Sequence, residues 1–262
     1  MLLKDKVVIV SGIGPGLDKE LALEAANQGA RLAICARTPA KLDSCEDEFR
    51  AAGLDNDVLK VVTDITDKDQ CESLVARTMQ AYGRIDCLIN SAYDPGRFAP
   101  VEQTDLSGWQ RAMEVNLFGT MNLTLAVIPV MKAQGGGAIV MINSMVTRKP
   151  MPTQAGYAAS KAALSSAASH LALELGRYNI RVNSAFMGWM WGPPVQGYFE
   201  GLAKQGGPDV HGPRTAMEKN IPLGGIPDDA DCAKAAIFLA SDYACAITGA
   251  ELDVNGGEYM PH

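Results

Sequence analysis

Two side chains that can exchange a proton stand four residues apart in this sequence, Tyr157 and Lys161. On an α-helix this spacing places both on one face. A free tyrosine has a pKa of about 10, too high for efficient proton transfer near neutral pH. A neighbouring ammonium favours the phenolate, so Lys161 is expected to lower the pKa of Tyr157. Such pairs also share helix faces by chance, so the spacing alone identifies no site.

A hydroxyl group thirteen residues before Tyr157 strengthens the case. Ser144 ends the strand that the apolar run 138–142 predicts. In open α/β folds, ligands bind in the crevice at the carboxyl ends of the strands. A donor at that point can polarise a carbonyl and stabilise the charge that develops on it.

A glycine turn near the N-terminus predicts a phosphate site. The apolar run 7–10 leads into Ser11, Gly12, Gly14 and Gly16, and a helical pattern follows. Glycines in this context allow backbone N–H groups to approach a pyrophosphate at the helix N-terminus. A plain strand-to-helix turn remains an alternative.

Short apolar runs alternate with helical patterns along most of the chain. This alternation predicts right-handed βαβ units in an α/β fold with one doubly wound parallel sheet and helices on both faces. We expect one domain over residues 1–262. Residues 188–227, rich in Gly, Pro, Trp and Met, predict a substrate loop or lid with a helical piece at 195–205. The predicted strands are 7–10, 32–35, 58–62, 85–89, 138–142 and 180–185, and the clearest helices are 19–28, 41–52 and 70–82.

Composition excludes several classes of function. The formal net charge of −7 disfavours nucleic acid and anionic membranes as partners. The six cysteines and three histidines lack metal-ligand spacing, so no metal is expected. The sequence predicts neither a secretory signal nor a membrane span, and we expect a soluble, cytoplasmic protein with reduced thiols.

From about Leu3 to Gly257, the chain resembles the short-chain dehydrogenase/reductase family. The family's glycine turn, its catalytic serine, tyrosine and lysine, its asparagine and a later strand all find counterparts. The matching positions are Ser11, Gly12, Gly16, Asn90, Asn116, Ser144, Tyr157, Lys161, Arg181, Val182 and Asn183.

The resemblance implies a Rossmann-type domain of seven strands and an NAD(P)-dependent oxidoreductase. Such an enzyme transfers a hydride between a nicotinamide cofactor and a ketone or secondary alcohol. It implies Tyr157 as the general acid and base, Ser144 and Lys161 as its catalytic partners, and Asn116 at a helix irregularity as the residue that holds a relay water.

NADP is the favoured cofactor and NAD the alternative. The second predicted strand ends without a carboxylate to bind a ribose, and Arg37 stands there instead, where it could meet a 2′-phosphate. A surface arginine, or one that stacks on adenine, is the alternative interpretation. The predicted cofactor-binding residues are Ser11, Gly12, Gly14, Gly16, Leu17, Arg37, Asp64, Ile65, Asn90, Ala92, Tyr157, Lys161, Met187 and Gly188.

The chain departs from the family pattern mainly around the cofactor. Asp18 stands where the turn usually has its last glycine, and Ser91 and Ala92 follow Asn90 where Ala-Gly is usual. Met187 replaces a proline, and Asn255 stands where aspartate is commoner. Asp18 brings negative charge near a pyrophosphate, so we expect weaker cofactor binding than with glycine there.

Aromatic and methionine side chains near the crevice predict an apolar, bulky substrate. Packing of the lid, or a subunit contact, is an equally open interpretation. The predicted substrate residues are Tyr93, Met145, Trp189 and Trp191, with Phe98, Met187, Met190 and Phe199 as further candidates.

Two other functions stay open. A cofactor-binding redox sensor on the same fold would bind without turnover, and only Asp18 favours it. An epimerase of the extended branch usually needs a larger C-terminal substrate domain than the roughly 75 residues after Phe186. The family also implies a homotetramer or dimer, with helices over 105–132 and 153–178 at one interface.

Overall fold

Seven short strands lie side by side in one parallel sheet, in the order β3-β2-β1-β4-β5-β6-β7. The structure is a computed structural model, and it describes residues 1–204 and 211–261. The doubly wound parallel sheet predicted from the sequence is confirmed. The strands are β1 (Val7–Ser11), β2 (Arg31–Ala36), β3 (Val58–Val62), β4 (Cys87–Asn90), β5 (Gly137–Ser144), β6 (Ile180–Met187) and β7 (Glu251–Val254).

The central strands are apolar along their length because both faces of the sheet are covered. All five residues of β1 are buried. Successive side chains point to opposite faces, so Val8 and Val10 join one core cluster and Ile9 joins the other. The sheet is therefore the middle layer of three.

Helices form the two outer layers. Buried residues of α1, α2 and α9 pack on one face, and those of α3, α5 and α6 pack on the other. The helices are α1 (Leu17–Asn27), α2 (Pro39–Ala51), α3 (Lys68–Tyr82), α4 (Leu106–Met113), α5 (Thr120–Ala133), α6 (Ala155–Leu175), α7 (Pro193–Lys204), α8 (His211–Glu218) and α9 (Asp229–Ala240).

A π-helical segment, Glu114–Gly119, joins α4 to α5. The continuous stretch Leu106–Ala133 is long and apolar enough, by length and composition, to cross a membrane. Its buried residues Leu123, Val127 and Met131 lie in the same core cluster as α3 and α6. This packing makes it a core helix of the outer layer.

The sheet changes winding direction between β1 and β4, since the chain runs outward from β1 to β3 and then returns to β4. Ligands of such folds bind at this switch point. The segment after β6 contains α7 and α8. Within the predicted lid, 188–227, residues 205–210 lie outside the described part. The predicted helix at 195–205 corresponds to α7, which begins at Pro193, while Gln205 is among the residues not described.

Candidate active site

The glycine turn after β1 lies tightly against the loop that follows β4. Gly12 has a φ of 85°, and a Cβ on it would lie 2.2 Å from the Cα of Ala92. The Ser11 Oγ accepts a hydrogen bond from the Ser91 backbone N–H at 3.2 Å. Gly16, with a φ of 97°, precedes α1 and gives it no side-chain cap. The turn thus leaves the α1 N-terminus open to an anion.

A cavity of about 320 Å³ opens over this turn and extends to the ends of β2 and β3. Its lining includes Arg37 and Lys41 as well as Asp64 and Ile65. Within residues 1–204 and 211–261, no carboxylate lies within 4.0 Å of the Arg37 or Lys41 side-chain nitrogens. Both cations are therefore available to a ligand phosphate.

A second cavity, of about 160 Å³, contains the predicted catalytic groups. Ser144, Tyr157 and Lys161 line it together with Met187 and Gly188. The two cavities adjoin, because four residues line both, and together they form a crevice. These are Pro15, Asp18, Tyr93 and Pro194.

Lys161 is held at the end of β5. Its side chain is 2% exposed, and its Nζ donates a 2.7 Å hydrogen bond to the Ile142 carbonyl. The Nζ lies 5.9 Å from the centre of the Tyr157 ring. Burial lowers the pKa of Lys161 to about 8, and the negative charge of Asp18 partly opposes that shift. Lys161 therefore titrates close to neutral pH.

Tyr157 has a pKa above its ordinary value, which differs from the lowering predicted from its spacing to Lys161. Burial is the largest cause, Tyr93 and Asp18 add to it, and a hydrogen bond with Ser144 opposes it. The Tyr93 ring stands edge-on to Tyr157 with the ring centres 6.4 Å apart. Loss of hydration therefore controls the pKa of Tyr157 in the free protein, where the Lys161 Nζ donates to the Ile142 carbonyl.

Asn116 lies fully buried within the π-helical segment. Its Oδ1 accepts from the Asp94 backbone N–H at 2.7 Å, and its Nδ2 donates to the Asp94 carbonyl at 2.9 Å. The same Nδ2 donates to the Ser160 Oγ at 2.8 Å. Asn116 thus ties the loop after β4 to the helix that carries Tyr157 and Lys161.

Asn90 does not reach the crevice. It is 3% exposed, and its Nδ2 donates to the Thr124 Oγ1 at 3.0 Å. This bond ties β4 to α5. Its effect on the cofactor site is indirect, through the position of Ser91 and Ala92 directly after it.

The predicted substrate residues divide between the crevice and the lid core. Tyr93 lines both cavities. Trp189 and Trp191 instead stack against Phe199, with ring centres 6.4 and 6.2 Å apart. Met145 is 1% exposed and buried. In the described part of the chain, these last residues do not line either cavity.

A match across most of the chain decides the family. The family model described as enoyl-(acyl carrier protein) reductase matches residues 10–258. The 3-oxoacyl-(acyl-carrier-protein) reductase of Thermotoga maritima is 34% identical over 257 residues, which cover 98% of this chain and 99% of that protein. The chain belongs to the short-chain dehydrogenase/reductase family. It is an oxidoreductase that acts on alcohol and ketone groups of small molecules.

Two solved members of the family are similar in structure. An actinorhodin polyketide ketoreductase variant with NADPH has a TM-score of 0.89 and 28% identity, and covers 97% of each chain. An NAD⁺-bound xylitol dehydrogenase has a TM-score of 0.90 and 29% identity, and covers 98% of this chain and 100% of that one. A nicotinamide cofactor is therefore supported for this short-chain dehydrogenase/reductase. The glycine turn fits one, since a cavity of about 320 Å³ lies over it.

The structure adds two residues to the site that the sequence analysis did not predict as binding residues. Lys41, from the first turn of α2, reaches the glycine turn, and a Cβ on Gly14 would lie 3.8 Å from its Nζ. Asp229, at the start of α9, is 7% exposed, and burial raises its pKa to about 6. Lys41 follows Arg37 by four residues, a signal that the sequence did contain.

Proposed function

We propose that this enzyme reduces a bulky, apolar ketone, or oxidises the matching secondary alcohol, with NADP(H). The observation that carries the proposal is the shared cavity of Ser144, Tyr157 and Lys161, which adjoins the glycine-turn cavity through four common lining residues. A substrate carbonyl beside Ser144 and Tyr157 would therefore meet the end of a cofactor that extends over the turn.

Each catalytic side chain has a separate task. The Ser144 hydroxyl donates a hydrogen bond to the substrate oxygen and stabilises the charge that develops there. The Tyr157 hydroxyl gives its proton to that oxygen during reduction and takes it back during oxidation. The Lys161 ammonium stabilises the phenolate left on Tyr157. When bound, the nicotinamide supplies or accepts the hydride.

Asn116 positions these groups. Its three hydrogen bonds fix the loop after β4 and α6 relative to each other. Its side-chain donors and acceptor are therefore already engaged. The relay water expected from the family would bind backbone groups of the π-helical segment, whose wider turn departs from the regular α-helical hydrogen-bond pattern.

Arg37 and Lys41 support NADP over NAD. Both line the cofactor cavity, and among the residues that the structure describes no carboxylate lies within 4.0 Å of either cation. In addition, β2 ends without a carboxylate that would repel a 2′-phosphate. Charge-assisted hydrogen bonds to a phosphate are the stronger kind, so NADPH is expected to bind more tightly than NADH.

The cavity beside Tyr157 supports an apolar substrate. Met187, Met190 and Val195 line it. The sequence predicted Trp189 and Trp191 as substrate residues, but Met190 between them lines this cavity instead. Thioether side chains adapt to irregular apolar shapes. A substrate with a bulky apolar part next to the reacting carbonyl fits these walls.

The test follows the absorbance of NADPH and NADH with a panel of cyclic and open-chain ketones. We expect turnover with NADPH, and we expect Tyr157→Phe to lose it by at least a hundredfold while cofactor affinity changes little. Tyr243→Phe, at a 77% exposed position that lines neither cavity, loses the same hydroxyl and serves as the matched control. Full turnover by Tyr157→Phe would remove Tyr157 from the proton-transfer role.

The second candidate is a cofactor-binding redox sensor, which the buried Asp18 carboxyl beside the turn favours. The same assay separates the two. Tight NADPH binding without turnover on any ketone or alcohol of the panel would favour the sensor. A homo-oligomeric state and a cytoplasmic location stay predictions, with small-molecule substrates as the main partners.

A further inference from the structure

Asp18 and Ser91 are two departures from the family pattern that meet in space. They are 73 residues apart, and the Ser91 hydroxyl donates a hydrogen bond to the Asp18 Oδ1. Asp18 is 8% exposed and Ser91 is 2% exposed. A side chain on α1 and one on the loop after β4 thus form a buried pair where a glycine and an alanine are usual.

The two carboxyl oxygens of Asp18 have different surroundings. Ser91 fixes Oδ1, whereas Oδ2 faces the glycine turn, where a Cβ on Gly14 would lie 3.4 Å from it. Asp18 also lines both the cofactor cavity and the catalytic cavity. Its second oxygen therefore points into the part of the crevice where a pyrophosphate would cross.

We propose that Asp18 binds the cofactor's pyrophosphate in its protonated form, with Oδ2–H as the hydrogen-bond donor. A charged carboxylate and a phosphate oxygen cannot share this buried position without repulsion, but a neutral carboxyl offers a donor. The proton comes from solvent and stays on Oδ2 while the cofactor is bound. This inference rests on the proposed nicotinamide cofactor.

The charge balance around Asp18 makes the protonated form accessible. Burial raises the pKa of Asp18 to about 7, while the Ser91 hydrogen bond and two lysines oppose the rise and Asp229 adds to it. At pH 8 the free protein therefore carries mainly the charged form. The ionisable groups that face Asp18 are Lys41 from α2, Lys161 and Tyr157 from α6, Asp229 from α9 and Tyr93 from the loop after β4.

Isothermal titration of the protein with NADPH at pH 8, in two buffers of different ionisation enthalpy, counts the protons taken up. We expect close to one proton per cofactor, and roughly tenfold weaker binding at pH 8 than at pH 6. The cofactor's own phosphate contributes little at pH 8, because a phosphate monoester has its second pKa near 6.

Asp18→Asn is the matched variant, because its amide keeps the shape and is neutral and a donor at every pH. It is expected to lose the extra proton uptake and to bind NADPH at pH 8 about tenfold more tightly than the wild type. Ser91→Ala removes a bond that lowers the pKa of Asp18, so the pH midpoint of uptake should rise. Lys161→Met removes a charge that lowers the pKa of Asp18, so its proton uptake should persist with a raised pH midpoint. Complete loss of the uptake in this variant would assign the proton to Lys161 and overturn the inference.

The outcomes separate this inference from the proposed function. Binding of NADPH with no more proton uptake by the wild type than by Asp18→Asn would overturn the inference and leave the proposed function intact. Absence of binding by both NADPH and NADH would overturn the two together.

Discussion

At the scale of single residues, burial controls the chemistry of the crevice more than pairwise charge does. Lys161 and Asp18 both lie almost fully out of water, and desolvation is the largest cause of the pKa shift of each. Since desolvation disfavours the charged form, it lowers the pKa of the lysine and raises that of the aspartate. Both groups therefore titrate between about 7 and 8.

The pH dependence of the reaction rate is expected to follow the protonation of Lys161. Its lowered pKa of about 8 means that the ammonium is present below pH 8 and is lost above it. Ketone reduction needs the ammonium, so its rate at saturating NADPH should be flat below about pH 8. Above that value the rate should fall about tenfold per pH unit. Alcohol oxidation should instead rise up to the same pH.

A pH–rate profile from 6 to 10, measured in both directions, tests this. Lys161→Arg provides the comparison, because a guanidinium stays charged throughout that range. Its reduction rate is expected to be lower but without the break near pH 8. A wild-type profile that stays flat to pH 10 would contradict the assigned role of Lys161.

At the scale of elements, the site depends on how closely β1 and its turn approach the loop after β4. Gly12 lies directly against Ala92, whereas Gly53, just after α2, has no heavy atom within 4 Å of a Cβ built on it. Both have positive φ values, 85° and 70°. The two glycines thus separate the effect of backbone conformation from that of close approach.

Gly12→Ala is therefore expected to be much more harmful than Gly53→Ala. Each adds left-handed strain of about 1–2 kcal/mol, and only Gly12→Ala also pushes the turn away from Ala92. We expect Gly12→Ala to lower the free energy of unfolding by at least about 1 kcal/mol more than Gly53→Ala, and to weaken NADPH binding at least tenfold. Urea unfolding and calorimetric titration check this; equal losses for the two variants would contradict it.

At the scale of the whole molecule, the sequence predicted the layers well and the lid poorly. The buried strands follow from short apolar runs, and Ser144 lies in the crevice because it ends β5. Lys161 reaches the same place from α6, on the helix face that its spacing to Tyr157 predicted. The orientation of Trp189 does not follow in this way, since it depends on how α7 packs against the segment after β6. The contact between Asp18 and Ser91 likewise joins distant parts of the chain, and only the side-chain geometry reveals it.

Exposed apolar side chains on one outer layer predict that copies of the chain assemble with one another. Leu106, Phe118 and Leu125 on the helix Leu106–Ala133 are 64, 59 and 56% exposed, and Leu173 on α6 is 81% exposed. Large exposed apolar residues grouped in this way mark interaction sites. A second copy of the chain is the expected partner, in a closed dimer or tetramer.

Sedimentation velocity of the wild type should therefore show a dimer or tetramer at micromolar concentration. The double variant Phe118→Glu with Leu125→Glu should shift it to smaller species, because burying a carboxylate at an interface without a partner is costly. Leu223→Glu, at an 82% exposed position outside these helices, is the matched control and should leave the assembly unchanged. A monomeric wild type, or equal dissociation by the control, would show that this layer is not the interface.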